Sequence, residues 1–201
     1  MRLGIYGGAF SPVHNAHVEI ARAFALQYDL DKLLIIPAGI APHKHLEYDA
    51  SAHQRLEMCR KAFEGIPNAE VSDIEICREG KSYTAVTVRE LSKLTDELYM
   101  LVGSDKIPTL EKWYCADEIF DKCTIVCAYR KGESANTEGK ISEYKVKYGA
   151  KIEILEIIPD DISSEKIRKL ISEGKIVSEF IPPEVDQYIK ENGLYLNKNE
   201  Q

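Results

Sequence analysis

Two histidines, His14 and His17, follow a glycine pair in the run Gly7-Gly8-Ala9-Phe10-Ser11-Pro12-Val13-His14-Asn15-Ala16-His17. An apolar run, Leu3 to Tyr6, precedes the glycines, and helix-compatible residues follow the histidines, so the segment reads as strand, tight turn, helix start. Glycines there let a ligand approach the backbone without a Cβ in the way. A helix start presents N–H groups and the positive end of a helix dipole, which suits an anion. Residues i and i+3 on a helix face the same way, so the two imidazoles can donate hydrogen bonds to one phosphoryl group. The chemistry this spacing favours is the handling of a polyphosphate.

A second group of the same character is Ile162-Ser163-Ser164-Glu165-Lys166-Ile167-Arg168. Ser163 or Ser164 reads as a helix N-cap, and Arg168 lies one turn beyond Ser164 on the same face. Hydroxyls, helix N–H groups and a guanidinium therefore converge on one spot. A third segment, Pro37-Ala38-Gly39-Ile40-Ala41-Pro42-His43-Lys44, is a basic loop at the carboxyl end of an expected strand, where open α/β sheets bind ligands. His43 and His45 suggest zinc ligands, but no third and fourth ligand follows at a usual spacing.

Positioning these groups needs a scaffold, and the rest of the chain describes one. Short β-rich runs are expected at Arg2 to Tyr6, Lys32 to Ile36, Val71 to Ile76, Leu98 to Val102, Thr124 to Ala128 and Ile152 to Ile157. Helical spacing is expected at Asn15 to Tyr28, Ser51 to Phe63, Tyr83 to Leu94 and Pro108 to Phe120. Alternation of the two implies an α/β fold with a parallel sheet, and near-continuous apolar strands imply that helices cover both faces. Arg130 to Gly139, rich in Gly, Ser, Asn and charge, reads as a flexible loop. Pro183 to Asn192, with proline at its start and Gly193 past its end, reads as a last amphipathic helix. The chain is expected to form a single domain over 1–201, its C-terminal helical piece (about 163–196) lying as a lid on the same core.

Composition narrows the function. With 44% hydrophobic and 29% charged residues in 201, the chain is globular. Its 26 basic and 33 acidic residues give a net charge of −7, against general attraction to nucleic acid or an anionic membrane. The longest nearly apolar stretch, Leu33 to Ala41, is interrupted by Pro37 and Gly39 and is too short to span a bilayer. A cytoplasmic protein is expected, with an oligomer left open. Five cysteines without a C-x-x-C pair imply reduced, mostly buried thiols.

The first motif resembles the phosphate-binding turn of the nucleotidylyltransferase superfamily, whose hallmark is H/T-x-G-H. Ile162 to Arg168 is similar to I-S-S-T-x-I-R, and Pro37 to Lys44 to P-A-G-x-x-P-H-K. Ser82-Tyr83-Thr84, Gly103-Ser104-Asp105, Trp113-Tyr114, Ile181 to Val185 and Gly193 to Tyr195 also match, so nearly the whole chain resembles the bacterial nicotinate-nucleotide adenylyltransferases. Two departures are Ala16, where the family has glycine, and Glu165, where it has threonine. Glu165 is expected to point away from bound phosphate.

The resemblance implies a Rossmann-like doubly wound sheet. It also implies transfer of the adenylyl group of ATP to nicotinate mononucleotide, with Mg²⁺ carried by the substrates and no protein metal site. Gly7, Gly8, Ala9, Phe10, His14, His17, Ser163, Ser164 and Arg168 would bind ATP. Lys44 would be a cation for the triphosphate or the acceptor's phosphate, with His43 and Arg55 as lesser candidates. The acceptor would meet Ser82, Tyr83, Thr84, Gly103, Asp105, Trp113 and Tyr114. Asp105 would accept ribose hydroxyls, Trp113 would stack on the pyridine ring, and His14, His17, Lys44 and Arg168 would carry the catalysis. Alternatives are another adenylyl- or cytidylyltransferase of the superfamily, for instance one with a phosphopantetheine acceptor, and a non-catalytic nucleotide sensor.

Overall fold

The structure, a computed structural model, describes residues 1–40, 50–129, 134–155, 157 and 162–197. Six parallel strands are formed by β1 (Arg2–Gly8), β2 (Lys32–Pro37), β3 (Ala69–Val71), β4 (Glu97–Gly103), β5 (Thr124–Ala128) and β6 (Ile152–Leu155). Their order is β3-β2-β1-β4-β5-β6, and every neighbouring pair runs parallel. Winding proceeds from β1 through β2 to β3 on one side and from β4 to β6 on the other. This is the doubly wound arrangement, and its switch point lies between β1 and β4, the place where open α/β sheets bind ligands beyond the carboxyl ends of the strands.

Period-two alternation explains why both faces are covered. In β2, Leu33 and Ile35 join one apolar cluster while Leu34 and Ile36 join the other. The first cluster takes Ala21 and Phe24 from α1 (Asn15–Gln27), Met58 and Phe63 from α2 (Ala52–Phe63), Ile167 and Ile171 from α6 (Ser164–Ser172), and Val185 and Ile189 from α7 (Pro183–Glu191). The second takes Val88 from α3 (Thr84–Leu91), Ile119 and Phe120 from α4 (Ala116–Lys122), and Ile141 and Tyr144 from α5 (Ser134–Tyr148). Each such side chain, once buried, contributes roughly 1.5–3 kcal/mol. The C-terminal helices α6 and α7 thus share the core of α1 and α2, beside the first motif.

Three expectations need correction. The third strand is Ala69–Val71 rather than Val71 to Ile76, because the chain turns at Asp73, whose carbonyl accepts from the N–H of Ile76 and of Cys77, each at 2.8 Å. The helix expected over Pro108 to Phe120 is two pieces. A 3₁₀ helix spans Ser104–Lys112 around Pro108, and α4 follows Cys115, which sits in the left-handed region at φ 48°. Proline lacks the N–H that an α-helix interior needs. Residues from Ser134 within the expected loop open α5; its inward stripe is short, and Val146 is 89% exposed. Residues 130–133 of that loop lie outside the described residues.

Cys59, Cys123 and Cys127 are buried, Cys115 is half-buried and Cys77 is exposed, with no disulfide among them. No helix among the described residues is long and apolar enough to cross a membrane.

Candidate active site

β1 ends at Gly8, where an added Cβ would lie 2.9 Å from the Phe10 ring, so glycine is required for the turn to close. Phe10 adopts φ 47° and is 2% exposed. Its ring meets Tyr6, Phe63 and His17 edge-on, with centroids 5.3, 5.9 and 5.1 Å away. This buried aromatic is the floor on which the histidines stand.

His14 occupies the N-cap of α1 in extended conformation, and His17 is the third residue of that helix. The backbone N–H of His14 donates to Nδ1 of His17 at 3.2 Å. An accepting Nδ1 carries no hydrogen, so neutral His17 holds its proton on Nε2 and is set as a donor from that atom. The two rings stack with centroids 3.6 Å apart and planes 27° from parallel, so both present themselves to one locus. Ala16 is 3% exposed and packs in the apolar cluster, so its methyl points into the core.

Four distant segments brace this turn. Arg168 Nη1 donates to the Ser11 carbonyl at 2.7 Å, and Ser164 Oγ donates to the Pro12 carbonyl at 2.8 Å. Ser11 Oγ and Tyr195 Oη are hydrogen-bonded at 3.1 Å. Asn15 donates its backbone N–H to Phe180 O at 2.9 Å and its side-chain amide to Glu179 O at 3.1 Å. Arg55 Nη1 donates to Ala9 O at 2.9 Å. The start of α1 is therefore less open than its sequence implies, since the Asn15 N–H is already used. Ser163 is the N-cap of α6, accepting from Lys166 N at 3.1 Å, and Glu165 is exposed.

Beside the turn, the β2 loop is fitted closely. Ala38 N–H donates to Gly8 O, and Gly39 N–H donates to Ser82 Oγ, each at 2.9 Å. A Cβ on Gly39 would fall 2.4 Å from Glu75 O, which excludes any other residue without displacement. Lys44, with His43 and His45, lies outside the described residues. Arg55 is 1% exposed and donates to backbone carbonyls, which corrects its reading as a cation presented to phosphate.

Of the residues expected to meet the acceptor, Tyr83 and Tyr114 are brought into contact. Thr84 opens α3 and Tyr83 is its N-cap, with no side-chain cap bond. The Tyr83 and Tyr114 rings lie 4.6 Å apart, and half-buried Trp113 packs against the second core cluster. Gly103 ends β4 where a Cβ would meet Asp105 Oδ1 at 2.5 Å; Asp105 in turn accepts from Lys106 Nζ at 2.6 Å. Glu75 is buried and accepts from Thr87 Oγ1 at 2.7 Å. Burial pushes its carboxyl above the ordinary range, partly offset by Thr87, Arg78 and Ser82. No cluster of three or more His, Cys, Asp or Glu able to hold a metal ion occurs among the described residues.

Residues 5–170 match the family model described as cytidylyltransferase-like. The chain belongs to the cytidylyltransferase-like family. Within it, a relative from Clostridium botulinum (strain Kyoto / Type A2), named "probable nicotinate-nucleotide adenylyltransferase", is 38% identical over 95% of this chain and 97% of the relative. One from Geobacter sp. (strain M21) with the same name is 36% identical over 98% and 99%. These relatives place this member of the cytidylyltransferase-like family among the nicotinate-nucleotide adenylyltransferases. The fold also matches Plasmodium falciparum nicotinic acid mononucleotide adenylyltransferase complexed with NaAD, with TM-score 0.81 and 18% identity over 96% of this chain and 97% of that one.

Sequence reasoning missed Arg55 as a tie between loops, and Ser11 with Tyr195 as a brace. A signal existed for Arg55 alone: it falls on the inward stripe of α2, one turn before Cys59, where an apolar residue is the default.

Proposed function

We propose that this protein joins ATP to nicotinate mononucleotide by direct adenylyl transfer, releasing pyrophosphate and nicotinate adenine dinucleotide. The observation that carries the reading is the stacked His14–His17 pair on a turn braced at the switch point of the sheet. An oxygen of the mononucleotide 5′-phosphate attacks the α-phosphorus of ATP in line. A new P–O bond forms, the bond to the β-phosphate oxygen breaks, and pyrophosphate leaves with the electron pair. The attacking phosphate is already ionised, so no general base has to remove a proton, and catalysis consists of positioning and charge stabilisation.

His14 and His17 donate to the α-phosphoryl oxygens as charge builds there. Ser163 and Ser164, at the N-terminus of α6, and Arg168 take the departing β- and γ-phosphates, with Lys44 as a further cation. Gly7 to Phe10 shape the wall along the triphosphate. On the acceptor side, the start of α3 at Ser82 to Thr84 receives the ring carboxylate, Trp113 and Tyr114 flank the ring, and Gly103 and Asp105 take the ribose. A divalent cation such as Mg²⁺, brought in with the substrates, would supply neutralisation of triphosphate charge. ATP as substrate fits a cytoplasmic enzyme.

The test is pyrophosphate release from ATP with each acceptor offered separately. Nicotinate mononucleotide should support release matched one-to-one by dinucleotide. Release with 4′-phosphopantetheine instead, or only from CTP, would move the chain to another transferase group. ATP binding without release on any acceptor would make it a sensor.

A further inference from the structure

We propose that Arg55 is a positioning residue that fixes the separation of the two substrates by holding, on one guanidinium, the ATP turn and the loop after β2 to which Ser82 of the acceptor side is tied; this rests on the adenylyl-transfer reading above. The strands β1 and β2 pair in register up to Gly8 and Pro37, and a last bond from Ala38 N–H to Gly8 O closes the ladder. Beyond it the chains part, one into the histidine turn and the other toward α2. Arg55 takes over at that point, with Nη1 donating to Ala9 O at 2.9 Å and Nη2 to Gly39 O at 3.1 Å.

Both carbonyls belong to segments that meet substrate in this reading. Ala9 precedes Phe10, whose ring supports His17. Gly39 is held from its other side by Ser82 Oγ, and Ser82 leads into α3. One continuous set of contacts thus runs from the histidines through Ala9, Arg55, Gly39 and Ser82 to the helix start assigned to the acceptor.

The residue type fits this task better than it fits stability. Arg55 is 1% exposed on the inward stripe of α2, and a buried charge pays a desolvation cost that an apolar residue of similar volume would not. What arginine adds is a planar fork whose two Nη groups sit at a fixed separation. Lysine offers a point charge on a flexible stem and cannot hold two carbonyls at set positions. In-line transfer is sensitive to that setting, because a displacement of about 1 Å between reacting groups can cost roughly a hundredfold in rate.

The experiment compares Arg55→Lys, Gly39→Ala and Met58→Ala with wild type. Gly39→Ala keeps the guanidinium but forces its acceptor away from Glu75 O. Met58→Ala hollows the same helix at a fully buried position of the first core cluster and removes neither Arg55 bond. Wild type is assayed first for dinucleotide from ATP and nicotinate mononucleotide; no product there defeats the functional reading and leaves Arg55 out of the question. With wild type active, ATP affinity is read with a non-hydrolysable analogue, alongside acceptor KM, kcat and Tm.

Arg55→Lys and Gly39→Ala should keep each substrate's binding within about threefold while kcat falls by roughly 30- to 100-fold. Met58→Ala should lower Tm with kcat per folded enzyme unchanged. Retention of more than about a third of kcat by Arg55→Lys, or a loss that follows Tm as in Met58→Ala, overturns the proposal. Should Arg55→Lys not fold, Gly39→Ala decides: kcat within about threefold of wild type overturns it, and the split loss supports it.

Discussion

The two flanks of the switch point are braced to different degrees, one stiff and one soft. On the histidine side, bonds from Arg55, Ser164, Arg168, Tyr195 and the 179–180 backbone converge on residues 9–15, and the supporting ring of Phe10 is buried. On the side proposed for the acceptor, the ring positions are less enclosed: Tyr83 and Tyr114 pair with each other, Tyr114 is 52% exposed, and Asp105 accepts from its neighbour Lys106. Donors that stabilise charge appearing only in the transition state must already be in place, since moving them during the reaction costs what they would contribute. A pocket that recognises a ring and a ribose can close around its ligand.

If that contrast holds, damage on the stiff flank, or to the Arg55 tie between the flanks, shows in kcat, and damage to the ring and ribose contacts of the soft flank shows in acceptor KM. The largest effect is expected from His14→Ala and His17→Ala. Each should fold, judged by circular dichroism, and lose roughly two to three orders of magnitude in kcat, about 3–4 kcal/mol of transition-state stabilisation. Either variant keeping more than about a third of wild-type kcat would falsify its assigned role.

Arg168→Ala should raise the KM for ATP and lower kcat, for a combined loss of about 10- to 100-fold in kcat/KM, as expected for a charge-assisted bond. Its acceptor KM should stay near wild type. An effect confined to the acceptor would assign Arg168 to the soft flank. Trp113→Ala should do the reverse, raising acceptor KM by up to about tenfold through lost stacking while ATP KM is unchanged. A Trp113→Ala enzyme with normal acceptor KM and a lowered Tm would make the indole a core residue only.

The smallest effect concerns Glu75, under the acceptor flank. Unfolded, it ionises near the ordinary glutamate value of about 4.3. Folded, it ionises at higher pH, because burial outweighs the Thr87 and Ser82 hydrogen bonds and the Arg78 charge. Its contribution to stability is therefore complete below about pH 4.3 and is lost as pH rises through the raised folded value. Glu75→Gln keeps an oxygen to accept from Thr87, so it should melt a few degrees above wild type at pH 7.5, at about 2–4 °C per kcal/mol. That gap should close on acidification; a gap independent of pH would remove ionisation as its cause.

Much of the site was legible in the chain because its parts are local. The strand, glycine turn and paired histidines occupy residues 2–17, and the Ser163 cap with Arg168 occupies one helical turn. Thr124–Ala128 is a strand with its expected bounds, since a continuous apolar run between a helix end and a charged stretch admits little else. What stayed hidden is tertiary. Ser11 and Tyr195 lie 184 residues apart, and nothing at either position signals the other. Arg55 looked like a cation for phosphate because the burial that makes it a tie depends on where α2 lands. The helix α5 was hidden by its Gly, Ser and Asn content near the start, which tertiary packing of Thr137, Ile141 and Tyr144 overrides.

On the proposed assignment, the choice of acceptor is made on the soft flank, at the start of α3. A ring carboxylate bound there would meet backbone N–H groups, a hydroxyl and the positive end of a helix dipole, whereas a carboxamide would carry no charge and turn an NH₂ toward donors. The direct measurement is kcat/KM for nicotinate mononucleotide and for nicotinamide mononucleotide at one fixed ATP concentration. The account predicts a preference for the nicotinate form of at least about a hundredfold. Equal values, or a preference for the amide, would contradict it, since the helix start would then not be what holds the ring.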